Sequence, residues 1–330
     1  MPQRKRLVIV DTLTLMATIL VVMGHHKFLR DSISWYPVYD KIIYSFHMGF
    51  FMTISGFLIK YTFPQGCKWR EYVGKKAKKF VPAYFAVGLL AALLSLKSIG
   101  GLAKDVLMLV VNPSEGPIQI IWYIYVLMLY YCIAPFVFRL STKQRWWLLA
   151  ISIIPAGLFH YIPPYFNLMN FFRLFPFFLL GAQLADNHIK IQQIADWKIL
   201  LFSIPFIAFL ICCIVMQTNP LRGGFGKLTT SALSLPFMYY IARKLVKSTA
   251  VGELSTKFSP YVYPVYLLQM FFINGIWLVW RKVGFALTDV TAIVYLVCSV
   301  VLTIVGIVLV VKIYQWVLDM IFKRKQVPNE

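Results

Sequence analysis

The chain has 330 residues, of which 60% are hydrophobic and 14% charged, and its formal net charge is +21. So little polar surface cannot keep a domain of this size in water, and the apolar residues fall in long blocks separated by short basic stretches, the pattern of a polytopic membrane protein. The positive charge does not indicate nucleic acid, because its Lys and Arg lie in loops between apolar blocks rather than on a soluble face interleaved with aromatics.

In chain order, the first block follows the basic start MPQRKR. Residues 7–24 form a longer run than a signal-peptide core and lack a small-x-small cleavage site, so they read as an uncleaved first span. The apolar blocks predict about ten spanning helices, near 7–28, 40–62, 80–97, 118–139, 145–161, 168–185, 197–217, 226–246, 261–281 and 288–322. The last is long enough to tilt or to continue as a surface helix. Residues 102–111 are apolar but too short to span, which places them at the interface. With no internal repeat or soluble insertion, residues 1–330 read as one all-α transmembrane bundle.

Cation counting orients the bundle. With the N-terminus inside, the outer loops and span ends hold Lys27, Arg30, Lys41, Lys97, Lys104, Arg222, Lys227, Arg281 and Lys282. That leaves about 24 of the 33 Lys and Arg on the cytoplasmic side. Both termini are therefore expected in the cytoplasm, and the protein in the cell's inner (cytoplasmic) membrane. Cys67, Cys132, Cys212, Cys213 and Cys298 show neither metal-ligand spacing nor a disulfide framework, so no metal is expected.

Ionisable residues inside spans are costly in lipid and are functional candidates. The first span holds Asp11 near its inner end and His25 and His26 near its outer end. Fourteen positions apart, Asp11 and His25 fall on nearly one helix face, about 21 Å apart. The second and sixth spans run inward, which puts His47 and Arg173 at a similar outer depth. Trp122 and Tyr123 open the fourth span, and Asn274 lies in the outer half of the ninth. Separate spans thus deliver imidazoles, a guanidinium and amide or phenol groups to one layer. The bland readings differ: Trp122 and Tyr123 suit an aromatic belt, Lys27 and Arg30 can snorkel to water, and Lys75, Lys76, Lys78 and Lys79 can be a topology signal attracted to anionic membrane lipid.

Several segments have a recognisable form: Asp11 followed by Val21-Val22-Met23-Gly24-His25, and the continuous stretch Tyr44-Ser45-Phe46-His47-Met48-Gly49-Phe50-Phe51-Met52-Thr53-Ile54-Ser55-Gly56-Phe57-Leu58. Further on come a basic run into Phe80-Val81-Pro82-Ala83-Tyr84, then Ile121-Trp122-Tyr123-Ile124, Phe175-Pro176-Phe177-Phe178-Leu179-Leu180-Gly181 and Tyr263-Pro264-Val265-Tyr266-Leu267-Leu268. Together they resemble the membrane-bound acyltransferase type 3 family, its fucose or polysaccharide O-acetylase branch in particular. The chain departs from that pattern at Thr14, where the family has a cation, and at Gln269, often histidine there.

The resemblance implies transfer of an acetyl or similar short acyl group from acyl-CoA to a hydroxyl of a cell-surface glycan. His25, His47 and Arg173 become the catalytic candidates: a histidine is suited to accept the alcohol proton, and Arg173 or the Tyr123 hydroxyl to stabilise the oxyanion. Lys75, Lys76, Lys78 and Lys79 become candidates for the phosphates of acetyl-CoA or another acyl-CoA. Trp122, Tyr123 and Asn274 become candidates for the acceptor. Two other classes stay open at this level. One is an exporter of glycan or lipid-linked sugar, against which stands the lack of repeated halves. The other is a non-catalytic family member, which Thr14 allows.

The orientation makes a testable statement. A membrane-impermeant thiol reagent applied to intact cells should miss Cys67 and a cysteine placed at position 325. Labelling of either one from outside would invert the bundle.

Overall fold

The computed structural model describes residues 6–64, 66–95 and 98–323. Among them there is no strand, and the chain is a bundle of helices. They are α1 (Val8–Met23), α2 (Tyr36–Tyr61), α3 (Trp69–Leu94), α4 (Ile99–Val111), α5 (Trp122–Val137), α6 (Thr142–Gly157), α7 (Leu168–Asp186), α8 (His188–Gln192), α9 (Asp196–Met216), α10 (Gly223–Leu245), α11 (Thr249–Phe258), α12 (Val262–Val283) and α13 (Asp289–Lys323).

Ten of these occupy the ten segments expected to span. By length and apolar character, seven helical segments among the described residues suffice to cross a membrane. α1 is apolar but has only 16 residues, about 24 Å of helix against a hydrocarbon core of about 30 Å. α6 opens on the polar run Thr142-Lys143-Gln144-Arg145, capped by Ser141 and Gln144 in a reciprocal capping box. α10 carries Lys227, Arg243 and Lys244 and buries Thr230, Ser231 and Ser234 inside the bundle. The segment expected at the interface is α4, with Ile99 and Leu107 largely exposed. The two chain ends, expected in the cytoplasm, lie outside the described residues, as does Lys97.

α3, α5, α6, α7, α9 and α10 each hold an internal proline. A bundle in lipid tolerates this because neighbouring helices and hydroxyl side chains re-satisfy the freed backbone groups. Exposed Leu, Ile and Val residues run along α9 and α13, as expected of surfaces that face lipid rather than water.

The centre of the bundle is the pair α2–α7. A Cβ placed on Gly56 would stand 2.2 Å from the Phe178 carbonyl oxygen, and one on Gly181 would stand 2.1 Å from that of Thr53. The two backbones therefore touch, the close approach that small residues permit between membrane helices. Lys60 pairs with Asp186 at 3.5 Å, with the same sequence offset that separates His47 from Arg173, so the two helices run parallel and in register. Arg145, almost fully buried on α6, also pairs with Asp186 and donates to the Leu140 carbonyl at 2.6 Å. One carboxylate thus ties α2, α6 and α7 together at the end where α2 and α7 finish.

Gly181→Ala should destabilise the protein by about 1–3 kcal/mol, since the added methyl has only backbone to meet. Gly74→Ala, whose Cβ meets nothing within 4 Å, should be neutral or slightly stabilising. Thermal unfolding of both variants in detergent checks this, and equal melting temperatures would remove the backbone seam as a constraint.

Candidate active site

A cavity of about 970 Å³ lies at the opposite end of the bundle from the Lys60–Asp186–Arg145 cluster. His25 and Lys27 line it from the turn after α1, and Tyr44 to Gly49 from the first half of α2. The end of α3, the starts of α5, α7 and α10, and the late part of α12 complete the wall through Ser95, Trp122, Arg173, Lys227 and Asn274. Of the residues singled out in the sequence, His25, His47, Arg173, Trp122 and Asn274 line this one space. They come from five different elements.

The helix that carries His25 is shorter than expected. α1 ends at Met23 with Gly24 as its C-cap, so His25 and His26 lie in the turn beyond it, and Asp11 and His25 do not share a continuous helix face. The turn still sends the two rings different ways. His25 faces the cavity, whereas His26 is fully buried, with Nε2 2.9 Å from the Ser299 hydroxyl of α13 and its ring edge-on to Tyr295.

Both cavity histidines have one nitrogen committed. His25 Nδ1 lies 2.5 Å from the Val21 carbonyl and His47 Nδ1 lies 2.6 Å from the Ile43 carbonyl. A carbonyl can only accept, so each Nδ1 carries the proton, and in the neutral ring each Nε2 presents a lone pair. The His47 ring also packs edge-on against Tyr44 at 4.9 Å, and the Tyr44 hydroxyl donates to the Gly24 carbonyl at 2.9 Å. That bond ties the backbone beside His25 to the helix of His47. Gly49 lets α10 close this wall, since a Cβ there would meet Ser231 at 2.5 Å.

Arg173 lies over two rings, with its guanidinium carbon 5.2 Å from the Trp122 centroid and 5.3 Å from that of Phe159. Its buried Nε has no hydrogen-bond partner in the protein. Asn170, on the same helix, donates to Asn167 at 2.7 Å and to the Ser114 hydroxyl at 3.1 Å, which places an amide and a hydroxyl on the cavity wall.

Other expected residues lie apart from this space. Tyr123 is buried behind the wall, its hydroxyl 2.8 Å from that of Ser55 and its ring packed on Phe51 and Tyr266. Lys75, Lys76, Lys78 and Lys79 sit near the start of α3, while Ala91, Leu94 and Ser95 at its far end line the cavity. Lys76 is about 22 Å along the helix from Ala91. Lys76 lies over the rings of Tyr72 and Tyr131, and Lys79 over Phe80. Asp11 pairs with Arg6 at 2.6 Å, so its counter-charge comes from before the helix rather than from position 14, where Thr14 bonds back to the Val10 carbonyl.

Lys227, Asn170 and Tyr44 enter the cavity without having been singled out as site residues. In the sequence Lys227 stands one residue inside the span expected over 226–246 and is counted with the outer cations, whereas α10 begins at Gly223. Among the described residues no group of three or more His, Cys, Asp or Glu could hold a metal ion.

A family model described as an acyltransferase domain matches residues 8–312. No curated protein and no solved structure matches the chain. The match takes in every element that lines the cavity, and on that extent the chain belongs to the membrane acyltransferase type 3 family and is a multi-pass membrane acyltransferase.

Proposed function

We propose that the protein O-acylates a cell-surface glycan, moving an acetyl or similar short acyl group from acyl-CoA to a sugar hydroxyl in the 970 Å³ cavity. The observation that carries this reading is the His25 ring, fixed through Nδ1 on the Val21 carbonyl and lining the same cavity as Arg173. Such a ring is arranged to take a proton at Nε2 and no other atom.

In this reading His25 Nε2 accepts the acceptor's hydroxyl proton as the oxygen attacks the thioester carbon. The carbonyl oxygen gains negative charge and is stabilised by the Arg173 guanidinium, whose contact with the Trp122 and Phe159 rings fixes it in advance. Collapse of the intermediate expels the CoA thiolate, which takes the proton back from His25. His47 offers a second Nε2 lone pair to orient the alcohol, and Trp122 and Asn274 provide a stacking face and an amide for the sugar. Tyr123 supports this from behind by holding Ser55 and backing Tyr266, which lines the cavity.

The donor is acetyl-CoA or another acyl-CoA, its phosphates at Lys75, Lys76, Lys78 and Lys79 and its pantetheine arm reaching along α3 toward the cavity. Ten spans, with both termini and these lysines in the cytoplasm, put the donor inside and the acceptor outside in the inner (cytoplasmic) membrane. The aromatic side chains of Phe80, Tyr84 and Tyr263 lie along this path and are buried or half-buried.

His25→Ala should remove acyl transfer by about a hundred- to ten-thousandfold, the usual worth of a positioned base, with little change in melting temperature. His26→Ala should do the reverse: it loses a buried hydrogen bond worth about 1–3 kcal/mol to fold stability but keeps most activity per folded molecule. Ester formation followed by mass spectrometry, beside thermal unfolding, separates the two effects. Near-normal turnover in folded His25→Ala would exclude it as the base.

Replacing Lys75, Lys76, Lys78 and Lys79 together with Gln should weaken CoA binding by about tenfold at low salt, with less effect at high salt. Isothermal titration in detergent reads this directly. Unchanged CoA affinity would leave the cluster as a topology signal alone.

A further inference from the structure

The cavity is cationic on every side that bears charge. Lys27, Arg173 and Lys227 line it, and among the described residues no carboxylate does. Glu115 lies between the lining residues Ser114 and Gly116 but is exposed and does not line it. None of the three cations has a carboxylate within ion-pair distance among the described residues.

Two of them approach the same ring. Arg173 stands 5.3 Å from the centroid of Phe159 and Lys227 stands 5.8 Å from the same ring. Like charges gathered in a part-buried space repel, and a buried guanidinium nitrogen without a partner is costly. Lys27 approaches from the other wall, 5.4 Å from the Tyr44 ring that packs on His47. The cations therefore flank the reactive histidine layer from two sides. A neutral sugar would leave this charge uncompensated, whereas an oxyanion placed between Arg173 and Lys227 would satisfy both.

We propose that the acceptor is an anionic glycan, bearing a carboxylate or phosphate that docks between Lys227 and Arg173 with Lys27 at the rim. This rests on the reading of the cavity as the acceptor site and adds the class of sugar that it takes: a uronic-acid or phosphate-bearing unit rather than a neutral one. The same oxyanion chemistry could be supplied by the phosphates of the donor, and the test separates the two sources.

Purified full-length protein in detergent is titrated with galacturonate, with its neutral counterpart methyl galactoside, with inorganic phosphate and with CoA, at matched ionic strength, and melting temperature is followed. Galacturonate or phosphate should stabilise the protein at about a tenth of the concentration that the neutral sugar requires. Lys227→Gln should abolish that preference, Lys227→Arg should retain it, and CoA should stabilise all three proteins equally. Equal stabilisation by charged and neutral sugars, or none by either, overturns the proposal. Loss of the CoA response in Lys227→Gln overturns it in favour of a donor-phosphate site. The measurement needs no turnover, so an absence of acyl transfer would count against the proposed reaction without touching this result. Melting of each variant without ligand shows whether it is folded.

Discussion

Everything at the candidate site depends on how closely α2 approaches α7. The two backbones meet at Gly56 and Gly181, where no Cβ fits, and Asp186 fastens the same pair at one end through Lys60 and Arg145. Because the helices run parallel and in register, the same contact sets His47 and Arg173 at one depth. Packing between membrane helices gains little from hydrophobicity, since lipid tails are as apolar as leucine, so close backbone approach and polar ties carry the association. The chemistry thus rests on a seam of glycine.

Around that pair, the other helices contribute by where they begin or end. α5, α7 and α10 start at the cavity and α3 ends there, while α1 delivers His25 from the turn just beyond its last residue. Loops and helix ends are where backbone groups are free to serve side chains. The Val21 carbonyl in the last turn of α1 does so by fixing the His25 tautomer, as the Ile43 carbonyl within α2 does for His47, and the Trp122 carbonyl at the start of α5 accepts from the Asn167 amide at 2.7 Å. The resulting space has cations and hydrogen-bonding groups on its walls and an aromatic floor of Tyr266 backed by Tyr123.

Much of this was legible in the sequence, for one physical reason. A polar residue in an apolar span is conspicuous, and its depth can be counted from the span's end at 1.5 Å per residue. That reasoning placed His25, His47, Arg173, Trp122 and Asn274 in one layer, and they line one cavity. It fails where depth is not the deciding variable. Tyr123 is at the right depth but on the wrong side of α5, and helix phase relative to neighbours is not written in a single span. The span expected over 7–28 overran α1, because the apolar run stops at Gly24 and the polar His25-His26-Lys27 that follows it leaves the helix. Lys227 was counted as a loop cation because a charge near a span end reads first as topology, and only packing reveals that α10 turns it inward.

The glycine seam also bears on how such an enzyme can change. A Cβ at position 56 or 181 has only backbone to meet, so α2 and α7 tolerate little drift where they touch, and the residues that they hold in register are fixed with them. The wall from α12 is under no such restriction: Asn274 is exposed, and a Cβ on the neighbouring Gly275 would meet nothing within 4 Å. New substrate preferences can therefore arise by substitution on that helix while the α2–α7 pair stays as it is. Divergence of substrate and persistence of chemistry would then follow from which helices touch through their backbones and which through their side chains.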